Sequence, residues 1–116
     1  MSETTTRQIR WTLHDTNPEL VEPLREKLSQ VVDPEIGLNV IQLGLIREVR
    51  IEDNNVARMR MILTTPFCPY GPALIEMTRQ KAQEALGRPV TIEMGMEMWD
   101  FSMMEDPSIL DWGLYA

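Results

Sequence analysis

Strong backbone breakers cut this chain into short segments, and what each segment can become follows from the period of its apolar residues. The breakers are Asp33-Pro34, Asp53-Asn54-Asn55, the run Pro66-Phe67-Cys68-Pro69-Tyr70-Gly71-Pro72, and Gly87-Arg88-Pro89. Proline removes a backbone donor and pushes the residue before it out of the α region, while glycine and asparagine accept positive φ. The chain therefore reads as a series of separate helices and strands.

Between Glu19 and Val32, apolar Leu20, Val21, Leu24, Leu28, Val31 and Val32 recur at helical spacing, with Thr16 or Asn17 as cap and Pro18 at the first position. Pro23 must then fall early in the helix, and Asp33-Pro34 stops it. The next stretch, DPEIGLNVIQLGL, has no steady period and reads as an ordered loop packed onto the core. From Leu45 to Glu52, Leu45, Val49 and Ile51 fall on one face of a strand and Ile46, Glu48, Arg50 and Glu52 on the other, with Arg47 breaking the pattern. A tight turn at Asp53-Asn54-Asn55 leads into a second strand from Val56 to Leu63, with Ala57, Met59, Met61 and Leu63 inward and Arg58 and Arg60 outward. Beyond the proline-rich loop, Leu74, Ile75, Met77, Thr78, Ala82, Ala85 and Leu86 form a second helical stripe that Gly87 ends. Val90, Ile92, Met94, Met96 and Met98 then alternate with polar residues as a third strand. The order α-β-β-α-β predicts an α+β two-layer sandwich, a three-stranded sheet with two helices on one face. Residues 1–18 read as a flexible N-terminal arm and residues 19–116 as a single α+β domain.

The 116 residues suffice for one core. With 18 acidic against 11 basic side chains, the net charge of -7 repels phosphate backbones and anionic lipid, which argues against nucleic acid or membrane as partner. No apolar run is long enough for a membrane span, the first residues lack the apolar core of a secretion signal, and a single cysteine fits a reducing compartment, so the expected location is cytoplasmic.

Three features carry chemistry. Cys68 is the only cysteine. As a bland residue it is a small buried hydrophobe. Its place just before a helix whose first turn suits Pro69 and Pro72 favours instead a thiolate, through unpaired backbone N–H groups and the helix dipole. One thiolate cannot hold an iron-sulfur cluster, which commonly takes four cysteines, so any cluster would be shared with a second protomer, a partner protein or carboxylates. His14, the only histidine, lies in the arm and gives Cys68 no base. Asp33 and Glu35 are in isolation a helix stop with solvated acids, and Trp99-Asp100 at the end of the last strand is more often core or rim. Nine methionines are unusual, and MGMEM resembles a thioether site for Cu(I). Met94, Met96 and Met98 nevertheless continue the face of Val90 and Ile92, and Met59 and Met61 lie on the inner face of the hairpin, so core packing is expected of all five.

Taken together, VVDPEIGLNVIQLGLIREVRI, a hairpin strand ending in LTTPFCP and a later strand ending in MWD resemble the SufT and PaaD-like family of iron-sulfur cluster assembly proteins. The likeness covers roughly residues 20 to 100. It implies a small α+β domain that helps mature iron-sulfur proteins rather than one that turns over a substrate. Under the resemblance Cys68 is the functional thiol and a ligand for a transient or shared cluster, Asp33 and Glu35 are the acids of the Asp-Pro-Glu motif, and Thr64, Thr65 and Pro66 precede the thiol. Client apoproteins, a P-loop ATPase that carries clusters and a second copy of the chain are the implied partners. Relatives often read Trp-Asp-Pro-Pro-Trp after the last strand, whereas here Trp99-Asp100 runs into Phe101-Ser102-Met103-Met104. PaaD-type members tend to carry an extension with further cysteines, so the SufT-like side of the family fits better. Two other functions compatible with the residues are an adaptor with a structural cysteine, contacting clients through Ile36 to Leu43 or the Trp-rich tail, and a thiol-dependent enzyme, which would lack a resolving thiol and a histidine base.

Overall fold

The computed structural model describes residues 9–65 and 69–105. Three helices, α1 (Thr12–Thr16), α2 (Val21–Leu28) and α3 (Gly71–Leu86), accompany three strands, β1 (Ile46–Ile51), β2 (Ala57–Met61) and β3 (Val90–Met94). The sheet order is β1-β2-β3, with β1 and β2 antiparallel and β2 and β3 parallel. This is the expected three-stranded α+β arrangement. Among the described residues no helix is long and apolar enough to cross a membrane.

Local chemistry explains the elements. Asn55 takes φ 68° at the tip of the β1–β2 hairpin, a conformation that asparagine tolerates better than most residues. Ala57, Met59 and Met61 alternate into the core from β2, fully buried, while Arg58 and Arg60 stand outward. α3 sends Leu74, Thr78, Ala82 and Leu86 inward at helical spacing and packs on α2, which buries Val21, Leu24 and Leu28. Gly87, in the left-handed region at φ 67°, closes α3 and donates its N–H to the carbonyl of Gln83 at 2.9 Å. Within the 39–45 loop, Val40, Ile41 and Leu43 are buried, so this irregular stretch is part of the core, as expected.

Four expectations are corrected. The first helix stops at Leu28 rather than Val32, because Val32 pairs with Asn39 as an isolated antiparallel bridge and Val31 accepts the Val40 N–H at 3.0 Å. Pro18–Leu20 forms a separate 3-10 turn before α2. In β1, Ile46 lies on the inner face with Val49, because a β-bulge between Ile46 and Glu48 absorbs Arg47 as an extra residue. The expected loose arm does not hold for residues 9–18, whereas residues 1–8 lie outside the described part. Trp11 and Leu13 are buried, the Trp11 indole donates to the Ile46 carbonyl at 2.9 Å, and the Thr12 N–H and hydroxyl both donate to the Glu48 carboxylate at 2.8 and 2.6 Å. Burial pushes the Glu48 carboxyl up, but the hydrogen bonds from Thr12 and from the Val49 N–H outweigh it and hold the group below the usual glutamate range.

Candidate functional site

Because β2 and β3 run parallel with α3 between them, the C-terminal ends of both strands and the N-terminal end of α3 lie at one end of the fold. The residues leaving β2 there are Ile62, Leu63, Thr64 and Thr65, which lead into the segment containing Pro66 and Cys68. Those two residues lie outside the described part, so the thiol proposed from the sequence has no geometry here. α3 begins at Gly71 with Pro72 in its first turn, so Pro69 precedes the helix rather than joining it.

Asp33 reaches this end from the loop after α2. It is 1% exposed, and a buried carboxylate needs partners. Its Oδ1 accepts the Glu35 N–H at 2.9 Å, and its Oδ2 faces the Thr64 hydroxyl, which donates at 3.5 Å. Its own N–H donates to the Leu38 carbonyl at 2.9 Å, and its carbonyl accepts the Gly37 N–H at 2.7 Å. Asp33 thus organises the Asp-Pro-Glu turn and joins it to the strand end four residues before Cys68. Glu35 contributes its backbone to that turn, and its side chain is exposed.

The segment following β3 forms the opposite wall. Ile62, Leu63 and Thr64 on one side and residues 94–99 on the other enclose a groove of about 380 Å³. Thr64 and Trp99, both singled out in the sequence, therefore both line it, and the Trp99 indole donates to the Leu43 carbonyl at 2.7 Å. Asp100 turns away from this groove into a turn of its own, accepting the Ser102 hydroxyl and, at 2.7 Å, the Ser102 N–H. The Ser102 hydroxyl and then its N–H keep the Asp100 carboxyl below the usual range. Thr65 is half-buried beside Thr64.

The methionines are the main departure from expectation. Met59 and Met61 are fully buried, as predicted, but Met94, Met96 and Met98 are 46%, 95% and 83% exposed. β3 ends at Met94, so the alternation that continues to Met98 does not mark a buried strand face. Gly95, Glu97 and Trp99, of the opposite parity, anchor the run instead. The Gly95 N–H donates to the Met61 carbonyl at 2.8 Å, and Glu97 pairs with Arg60 and lies 4.0 Å from Arg47. The hydrogen bond of Glu97 to its own N–H, then these two arginines, lower its carboxyl against the opposing effect of burial.

Among the described residues no group of three or more His, Cys, Asp or Glu side chains comes together to hold a metal ion. What the described arrangement can do is fix the strand end that leads to the cysteine and present an apolar groove beside it.

Comparison with known proteins follows the same span. The family model for iron-sulfur cluster assembly proteins matches residues 22–94. A Fe-S protein maturation auxiliary factor of Porphyromonas gingivalis is 35% identical over 94 residues, 79% of this chain and 90% of that protein. The Fe-S protein maturation auxiliary factor SufT of Staphylococcus aureus is 39% identical over 49 residues, 42% of this chain and 56% of that protein, so the SufT-like side of the resemblance holds. In fold, the crystal structure of a domain of unknown function, DUF59, from Bacillus anthracis matches with a TM-score of 0.71 at 21% identity, over 84% of this chain and 94% of that one. With the matched residues spanning the Asp33 turn, the hairpin, α3 and β3, this chain belongs to the iron-sulfur cluster assembly protein family.

Proposed function

We propose that this chain is an auxiliary factor in the maturation of iron-sulfur proteins, assisting assembly or transfer of clusters to client apoproteins without turning over a substrate. Family membership and the names of the relatives support the general role. The observation that carries the site assignment is the Asp33–Thr64 contact, which ties the Asp-Pro-Glu turn to the strand end leading into Cys68. In this reading Cys68, as a thiolate ahead of α3, ligates the iron of a cluster that is cargo rather than a resident group. The chain has a single cysteine, so the remaining ligands come from a second copy, from the client or from a carrier such as a P-loop ATPase. Incomplete coordination favours passing the cluster on over retaining it. Thr65 and Pro66 continue the loop that presents the thiol, and the expected setting is the cytoplasm.

Anaerobic reconstitution with iron and sulfide, followed by transfer to an apo-acceptor, tests the role of the thiol. Wild type is expected to bind iron or to speed acceptor maturation, and Cys68→Ala to lose the effect at least tenfold. An acceptor matured equally well by both proteins would refute the thiol's role.

The groove favours one second reading, an adaptor that holds clients through apolar contact with the cysteine merely packed. Exposed methionines beside a half-buried tryptophan at a groove are suited to binding varied partners. Client maturation that survives Cys68→Ser but fails on groove substitutions would select the adaptor.

A further inference from the structure

The two edges of the sheet are finished differently. An edge strand carries unpaired N–H and C=O groups, and folds commonly guard them with bulges, covering segments, lysine or proline. β1 has two such guards, the bulge at Arg47 and the cover of α1, where the Trp11 indole donates to the Ile46 carbonyl at 2.9 Å. β3, at the other edge, contains no bulge, lysine or proline. Its ladder to β2 uses the odd-numbered residues, since the Ala57 N–H donates to the Pro89 carbonyl at 2.9 Å and the Gly95 N–H to the Met61 carbonyl at 2.8 Å. By the two-residue period of a strand, the N–H and C=O of Ile92 and Met94 point away from β2. Among the described residues no strand or loop pairs with them. In register, Ile92 lies beside Met59 and Met94 beside Met61 on the inner face. Both β2 methionines are fully buried, whereas Met94 is 46% exposed and Ile92 half-buried, so the core face runs out to this edge uncovered.

We propose that the free edge of β3 binds an extended segment of a partner protein by strand addition, and that this segment alternates aliphatic with basic residues. Main-chain bonds to Ile92 and Met94 supply affinity, and alternate side chains supply specificity. The aliphatic set covers Ile92 and Met94, and the basic set meets the outer face. β2 already shows that complement on the other flank, with Met59 and Met61 inward and Arg58 and Arg60 outward beside Thr91 and Glu93. Glu93 accepts a bond from Arg58 at Oε1, at 3.2 Å, and its side chain remains 48% exposed, so its second oxygen is open to a cation on the incoming strand. The net charge of -7 attracts a basic segment and repels a second copy of the chain. Binding of this kind needs neither the thiol nor a cluster, so it stands apart from the maturation role.

The test titrates the whole chain, by fluorescence anisotropy, into a labelled seven-residue peptide alternating valine and arginine. Saturable one-to-one binding is expected. Only one of the peptide's two alternating sets of backbone nitrogens can face β3, so methylating that set should weaken binding about tenfold and methylating the other should not. Met94→Pro removes an outward donor while sparing the ladder to β2, and should weaken binding to a similar extent. Its thermal midpoint verifies the fold, and Glu93→Gln, an exposed change, gives a second variant with a loss of about threefold. A peptide alternating valine and glutamate should not bind. In amide exchange read by NMR, Ile92 and Met94 should gain protection when the valine–arginine peptide is bound, while Glu93 and Gly95, already bonded to β2, are protected throughout. Equal effects of the two methylations, equal binding of the glutamate peptide, or unchanged exchange at Ile92 and Met94 overturns the proposal. A dimer of the chain that Met94→Pro dissociates would give the edge to a second copy and overturn it likewise.

Discussion

Gly44 has the least freedom to change. It sits at φ 72°, and a Cβ there would lie 1.9 Å from the Met103 backbone carbonyl oxygen, where no side-chain rotation can relieve the clash. Both the left-handed backbone and the crossing of residues 99–105 over the 39–45 loop depend on it. Gly44→Ala is expected to lower stability by at least about 2 kcal/mol, read from the urea midpoint, and to loosen the Trp99 wall of the groove. Asp33 is the converse case, a residue whose polar partners make its burial affordable. Its Asx-type bond to the Glu35 N–H was recognisable from the Asp-Pro-Glu triplet, since aspartate before such a turn commonly bonds two residues on. Its contact with Thr64 was not, because 31 residues separate the two and no local pattern encodes the pairing.

Among the elements, α1 shows how a short helix can persist through side-chain anchorage. Five residues are too few to be helical alone, and the Trp11–Ile46 and Thr12–Glu48 bonds provide what propensity cannot. Because the folded Glu48 carboxyl lies below its ordinary range, its contribution is complete above that range and is lost as pH falls through the folded value. Thr12→Val should therefore weaken α1 docking by about 1 kcal/mol at neutral pH. The difference between variant and wild type should shrink below about pH 4, as measured by amide exchange over residues 11–16. The hairpin, the Gly87 stop and the inward alternation of Ala57, Met59 and Met61 were all legible, since each rests on residues adjacent in sequence. The anchored α1 was not, because a Trp and a Thr in a polar stretch reveal their partners only when β1 is in place. The end of α2 was likewise hidden, being decided by the Val32–Asn39 bridge.

At the scale of the whole molecule, the two ends of the described chain are drawn together onto one framework. Arg25 on α2 grips Glu105 through two bonds of 2.8 Å, with the side chains only 15% and 9% exposed, and the Glu105 N–H donates to the Gln42 carbonyl. The hydrogen bond to Glu105 raises the Arg25 pKa further, against the desolvation that opposes it. Glu105→Gln should cost roughly 3 kcal/mol by leaving a largely buried guanidinium uncompensated. Replacing both residues with apolar ones should recover part of that loss, and urea unfolding of the two variants tests the pair. The overall order of helices and strands could be read from periodicity, since each segment's inward face is set by its own residues. Where β3 ends could not, because the period-2 pattern runs on to Met98 whereas the strand stops at Met94, and Met94, Met96 and Met98 are exposed. One detail of β1 bears on this same end of the fold. The pairing steps from Ile46–Met61 to Glu48–Arg60, so Arg47 is surplus to the ladder, and its deletion would preserve which residues face inward. The guanidinium it carries, 2.9 Å from the Gly44 carbonyl and beside Glu97, would be what disappears. A supernumerary residue in a strand is thus a brace between two loops, and the sheet could shed it while the groove could not.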